Sequence, residues 1–128
     1  MIYTVETDTP ISTIKEEMTD HAKEYGFGVL NQYEFKKILH EKGFPIEKEI
    51  TVFELCNPPG AQQALSEIAA ISVYLPCRIS VYAENGKTKL STIGLEDILN
   101  GAQEVDEQFK AFMSILFVNL KSVMHSWK

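Results

Sequence analysis

The chain opens on strict alternation. In "IYTVET", residues 2–7, apolar and polar side chains trade places at every step, which predicts a strand with one buried face. Asp8 or Thr9 then stands where a helix cap belongs, with Pro10 at the first helical position. Ile11, Ile14, Met18 and Tyr25 recur at helical spacing with Ala22 beside them, an amphipathic face. Gly26 closes that helix and Gly28–Tyr33 resumes a strand. A short helix over "EFKKILHEKG" follows, with Phe35, Ile38 and Leu39 as its apolar side, and "FPIEK" leads onward.

In "EITVFELC", residues 49–56, both alternating sets are largely apolar: Ile50, Val52 and Cys56 on one side, Phe53 and Leu55 on the other. A strand of that kind suits the interior of a sheet. "NPPGAQQALSEIAAI" predicts a helix capped by Asn57, with Ala61, Ala64, Leu65 and Ile68 facing inward. "LPCRISVYAE" and "KTKLSTI" flank Asn85-Gly86, a two-residue hairpin signal. "GLEDILNG" is then a short turn into one long helix, from about 103 to 127. The order β-α-β-α-β-α-β-β-α, with its hairpin, predicts an α+β fold whose helices pack on a mainly antiparallel sheet. With no repeat, linker or low-complexity segment, residues 1–128 form a single domain.

The last helix carries a continuous stripe: Val105, Phe109, Phe112, Leu116, Leu120, Val123 and Trp127. Met113, Phe117 and Met124 widen it beyond the ~100° that packing on one core requires. Ile115 and Val118 are apolar on the remaining side. The expectation is a homodimer through this C-terminal helix, one flank on the sheet and another against a second subunit.

Composition narrows the function classes. Net charge is −6, from 18 acidic and 12 basic residues, and the one basic concentration, Lys36–Lys37, has Glu34 and Glu41 beside it. Nucleic-acid binding needs a basic surface to neutralise phosphates, and none can be assembled. The longest apolar stretch, "FMSILFVNL", is about half of the ~20 residues a membrane span needs. The first residues lack the basic start and apolar core of a secretory signal, so the expected location is cytoplasmic, with no membrane association.

Chemistry gathers at two stretches, "ELCNPPGAQQAL" and "LPCRISVY". Cys56 ends one strand and Cys77 begins another, 21 positions on. If those strands are antiparallel neighbours, both sulfurs lie at one sheet end; a parallel crossover puts them at opposite ends. Cys56 precedes the helix cap Asn57, where a helix dipole and free N–H groups lower a thiol pKa. Arg78 adds positive charge, though alternation turns it to the face opposite Cys77. Two readings stand: a reactive thiol pair, or two small buried hydrophobes. The same geometry suggests a small anion held by Asn57, the helix start at Pro58, and Arg78, with the prolines removing N–H donors. Glu17, His21 and Glu24 share one helix face and are a weak surface metal candidate; otherwise His21 caps the edge of the core. No zinc-protease, serine-histidine-acid or dinucleotide pattern occurs, and no cofactor is implied.

The two stretches together resemble the family known as domain of unknown function 302. The pattern is Cys-Asn-Pro, two variable residues, Ala-x-x-Ala-Leu, and later Leu-Pro-Cys before a Val/Ile-rich strand. It falls on Cys56, Asn57, Pro58, Ala61, Ala64 and Leu65, then Leu75, Pro76 and Cys77. "YGFGVL", Tyr25–Leu30, is similar to the family's entry to its second strand. The resemblance implies a compact α+β domain similar to one repeat of the TATA-binding protein architecture, β-α-β4-α, met as a homodimer. The short helices at 34–42 and 58–68 are then insertions between strands. Glu54-Leu55 stands where smaller residues are expected, which narrows any pocket beside Cys56.

Three functional expectations follow. The leading one is a ligand-binding module with a cleft near Cys56, Asn57 and Cys77. The second is a thiol redox enzyme or sensor using Cys56 and Cys77. The third is a structural interaction domain working through the C-terminal helix.

Overall fold

The computed structural model describes residues 1–101 and 107–128. Five strands, β1 (Ile2–Thr7), β2 (Gly28–Glu34), β3 (Ile50–Cys56), β4 (Cys77–Glu84) and β5 (Lys87–Ile93), form one antiparallel sheet in the order β1-β5-β4-β3-β2. Among the described residues, five α-helices accompany them: α1 (Ile11–Glu24), α2 (Phe35–Glu41), α3 (Pro58–Glu67), α4 (Leu95–Gly101) and α5 (Glu107–His125). The fold is α+β. Setting aside α2, α3 and α4 as connections leaves β-α-β4-α, the order that the family resemblance implies. The interior position expected for β3 holds, since it pairs with β2 on one side and β4 on the other.

One face of the sheet packs on α1 and α5. Val5, Phe53, Leu55, Ile79, Val81 and Leu90 meet Ile14, Met18 and Ala22 from α1 and Leu120, Val123 and Met124 from α5. A second, smaller core lies beside it, made of Ala64, Ile71, Ile98, Phe109 and Met113. Helix α5 therefore belongs to both cores, through different turns. Asn85 and Gly86 both adopt positive φ, as the tight turn joining β4 to β5 requires.

Several expectations need correction. Neither Asp8 nor Thr9 caps α1; Pro10 occupies the cap position and no side chain bonds there. The Thr9 hydroxyl is committed elsewhere, to the Trp127 carbonyl at 3.0 Å. Helix α3 stops at Glu67, and residues Ala69–Tyr74 form a separate 3₁₀ helix. Leu65 is 42% exposed rather than inward; Gly60 and Ala64 are the buried positions of α3. "GLEDILNG" is a helix, α4, rather than a turn. The expected helix start near 103, with Val105, lies outside the described residues.

The C-terminus is clasped to α1 and β1. Thr7 and Thr9 hydroxyls both donate to the Trp127 carbonyl, at 2.9 and 3.0 Å. The Trp127 indole stacks on His21 with centroids 4.0 Å apart, and its Nε1 donates to Glu17 at 2.9 Å. Ser126 gives its proton to the Val123 carbonyl at 2.6 Å, so His21 Nδ1, 2.7 Å from Ser126 Oγ, is the donor there. Glu17 and His21 are thus core-edge anchors for the end of the chain. Among the described residues no group of three His, Cys, Asp or Glu side chains is arranged to hold a metal ion.

Thr7 is 6% exposed and also accepts from the Thr9 backbone N–H at 3.1 Å. Thr7→Val strips both bonds at nearly constant volume and is expected to cost about 1–2 kcal/mol, measured as a lower urea midpoint at unchanged m-value.

Candidate functional site

Asn57 is the joint on which the motif region turns. Its Oδ1 accepts from the Gly60 N–H at 2.8 Å and its Nδ2 donates to the Gly26 carbonyl at 2.9 Å. Gly26, at φ +87°, is the left-handed residue ending α1, and a Cβ there meets Asn57 Nδ2 at 3.1 Å. That ties "YGFGVL" to "CNPPG", two stretches far apart in the chain. Gly60 is needed for close approach: a Cβ on it falls 2.8 Å from Asn57 Oδ1 and 2.9 Å from a Leu116 methyl of α5.

The start of α3 offers no donors to an anion. Pro58 and Pro59 carry no N–H, the Gly60 N–H is taken by Asn57, and the Ala61 N–H bonds the Asn57 carbonyl at 2.8 Å. Arg78 is committed as well. It lies on the sheet face opposite the main core, where its Nη2 sits 3.3 Å from Glu54. Glu54, only 7% exposed, also accepts from Tyr33 at 2.8 Å and Asn31 at 3.1 Å. The Tyr33 hydroxyl, with Asn31 and Arg78 assisting, holds its carboxyl below the usual range. Asn57, Pro58 and Arg78 therefore do not assemble the single anion pocket the sequence suggests.

Cys56 and Cys77 are at the same end of the sheet. Strands β3 and β4 are antiparallel neighbours with Leu55 opposite Cys77, so Cys56 is one step past the cross-strand partner. Both cysteines are free. Burial pushes the Cys77 thiol up to about 11, a negative charge on Cys56 adds to the rise, and Arg78 opposes it. Cys77 is a neutral thiol at physiological pH.

Two cavities meet at Cys77. The smaller, about 250 Å³, is walled by Cys56, Asn57, Gly60, Ala64, Leu65 and the bulged Leu30. Leu55 lines it and Glu54 does not. The larger is about 590 Å³ and had no signal in the sequence. Its walls are Met113, Leu116, Phe117 and Leu120 of α5, Ile98 of α4, and Val73 and Tyr74 of the 3₁₀ helix. Pro76, Cys77, Met113 and Leu116 line both cavities.

The larger cavity enters a fork in the sheet. Pairing between β4 and β5 ends at Ser80↔Ser91, while β1 follows β5 to Ile93 and β3 follows β4 to Cys77. Thr92 bridges the fork by donating to the Arg78 carbonyl at 2.6 Å. Ser80, Ser91 and Val52 therefore reach the same space as the α5 side chains.

The raised Cys77 pKa sets an alkaline limit. Below the ~8.5 of a free thiol, folded and unfolded chains both hold the proton and this stability is fully present. Above it the unfolded chain ionises first, so stability is lost until the folded thiol ionises near 11. The loss amounts to about 3 kcal/mol. Unfolding free energies of the reduced protein between about pH 8 and about pH 11 are expected to fall that much more steeply than those of Cys77→Ala.

The comparisons with known proteins agree with this fold. A family model described as "Domain of unknown function DUF302" matches residues 3–126. The crystal structure of an uncharacterized conserved protein, DUF302, from Bacillus stearothermophilus superposes with a TM-score of 0.89 at 28% identity, covering 99% of this chain and 98% of that one. No curated protein matches the chain. The match over nearly the whole length, in sequence and in fold, places this chain in the DUF302 family.

Proposed function

We propose that the protein is a small-molecule binding module whose ligand occupies the cleft between α5, α4, the 3₁₀ helix and the fork of β4 and β5. The observation that carries this is a cavity of about 590 Å³ at the seam of two cores, walled by aliphatic, aromatic and thioether side chains. Its size falls within the range of ligand pockets, and its position at a boundary between packed units is a common one for them. The smaller cavity at Cys56 and Asn57 extends it through the shared wall at Cys77. Thiol chemistry finds less support, because Cys77 resists ionisation and the donors at the start of α3 are spent.

The test is titration of a neutral naphthylamine dye that brightens in apolar surroundings. Saturable binding to the wild type is expected. Ser80→Phe, which fills the cavity from β4 without entering either core, is expected to weaken it by about tenfold or more while the melting temperature holds. Dye binding no stronger than to the unfolded chain removes the reading.

A homodimer through α5 is the second part of the proposal. Ile115 and Val118 are 61% and 57% exposed on the flank turned from both cores. Apolar groups one helical turn apart on an exposed helix flank suit a self-complementary contact. Both cysteines being free suits a cytoplasmic setting. Among the described residues, no helix is long and apolar enough to cross a membrane. Ile115→Lys is expected to halve the mass measured by light scattering; a wild type that is already monomeric overturns the dimer.

A further inference from the structure

The cleft has its own charge balance, and that balance discriminates between ligands. Two charged side chains of opposite sign lie in its wall, Arg78 and Asp97. Arg78 is paired with Glu54 at 3.3 Å, and Asp97 is paired with the Met1 ammonium. A carboxylate, phosphate or ammonium entering the cleft therefore meets no free counter-charge. It also gives up its hydration to an apolar wall, a cost that only a paired partner offsets.

The uncommitted polar groups are hydroxyls. Ser91 is bonded to Thr4 and Tyr82, both at 2.8 Å, and Thr92 to the Arg78 carbonyl. Ser80 and Tyr74, by contrast, line the cleft with hydroxyls that make no hydrogen bond among the described residues. Each can donate and accept, which suits a hydroxyl or carbonyl and has no preference for charge.

Resting on the binding reading above, we propose that the ligand is an uncharged amphiphile. Its apolar body packs against Met113, Leu116, Phe117 and Ile98, and its hydroxyl or carbonyl end meets Ser80 and Tyr74. A fatty acid or a phosphate ester is disfavoured, because the Arg78 charge in the wall is already balanced by Glu54.

The experiment displaces the bound naphthylamine dye with saturated chains of one length, below their micelle concentrations, differing only in the head: a primary alcohol, a carboxylate and a trimethylammonium. The alcohol is expected to compete at about tenfold lower concentration than either charged chain. Ser80→Ala is expected to weaken the alcohol by a larger factor than either charged chain, each corrected for any change in dye affinity. A carboxylate that competes as well as the alcohol overturns the head-group assignment and leaves the apolar site standing. A dye that binds while no chain displaces it overturns the amphiphile class. A dye that does not bind at all removes the site itself, and this inference with it.

Discussion

One helix has to serve two cores, and most of the structure follows from that. Leu120, Val123 and Met124 at the C-terminal end of α5 pack on the sheet and α1, while Phe109 and Met113 pack on α3, α4 and the 3₁₀ helix. From Met113 to Leu120 is seven residues, about 10 Å along a helix that rises ~1.5 Å per residue. A rigid rod holds that interval open. Leu116 and Phe117 span it half-buried, and the larger cleft sits there. The cleft is the space left where two separately packed layers share one strut.

Asn57 sets the distance between those layers. By capping α3 and holding the turn after α1, it fixes the start of α3 against the main core. Gly60 then lets α5 come within van der Waals reach, which a larger residue prevents. In this chain the joint needs a residue as small as Gly60 three positions after Asn57. The conspicuous cysteine is a wall; its neighbour Asn57 makes the bonds. Cys77 has the matching role on β4, protonated and packed between two cavities.

The polar groups beside the cleft are largely occupied by one another. Glu54 collects Tyr33, Asn31 and Arg78, and Ser91 collects Thr4 and Tyr82. A nearly buried carboxylate requires such company, since an unpaired charge there is costly. The consequence is that Arg78, the residue whose charge marks it in the sequence as an anion ligand, is spent on structure. The uncharged hydroxyls of Ser80 and Tyr74, which no motif singles out, are what the cleft has left to offer.

The sequence by itself determined whatever depends on near neighbours. Alternation at 2–7 and 49–56, the helical face of Ile14, Met18 and Ala22, the Asn85-Gly86 turn and the Asn57 cap are all short-range matters, set by side-chain period and local hydrogen bonding. The family resemblance read from the sequence holds as well. The metal candidate and the anion pocket were not decided at that level, because each turned on the partners of its side chains. His21 and Glu17 are claimed by the C-terminal turn more than a hundred residues away, and Arg78 by Glu54 on the adjacent strand. Exposure of Leu65 rather than Gly60 reflects how tightly α5 presses on α3, a distance that periodicity does not contain. The larger cleft was invisible for the same reason. It is an absence of packing between two cores, and no residue type encodes an absence.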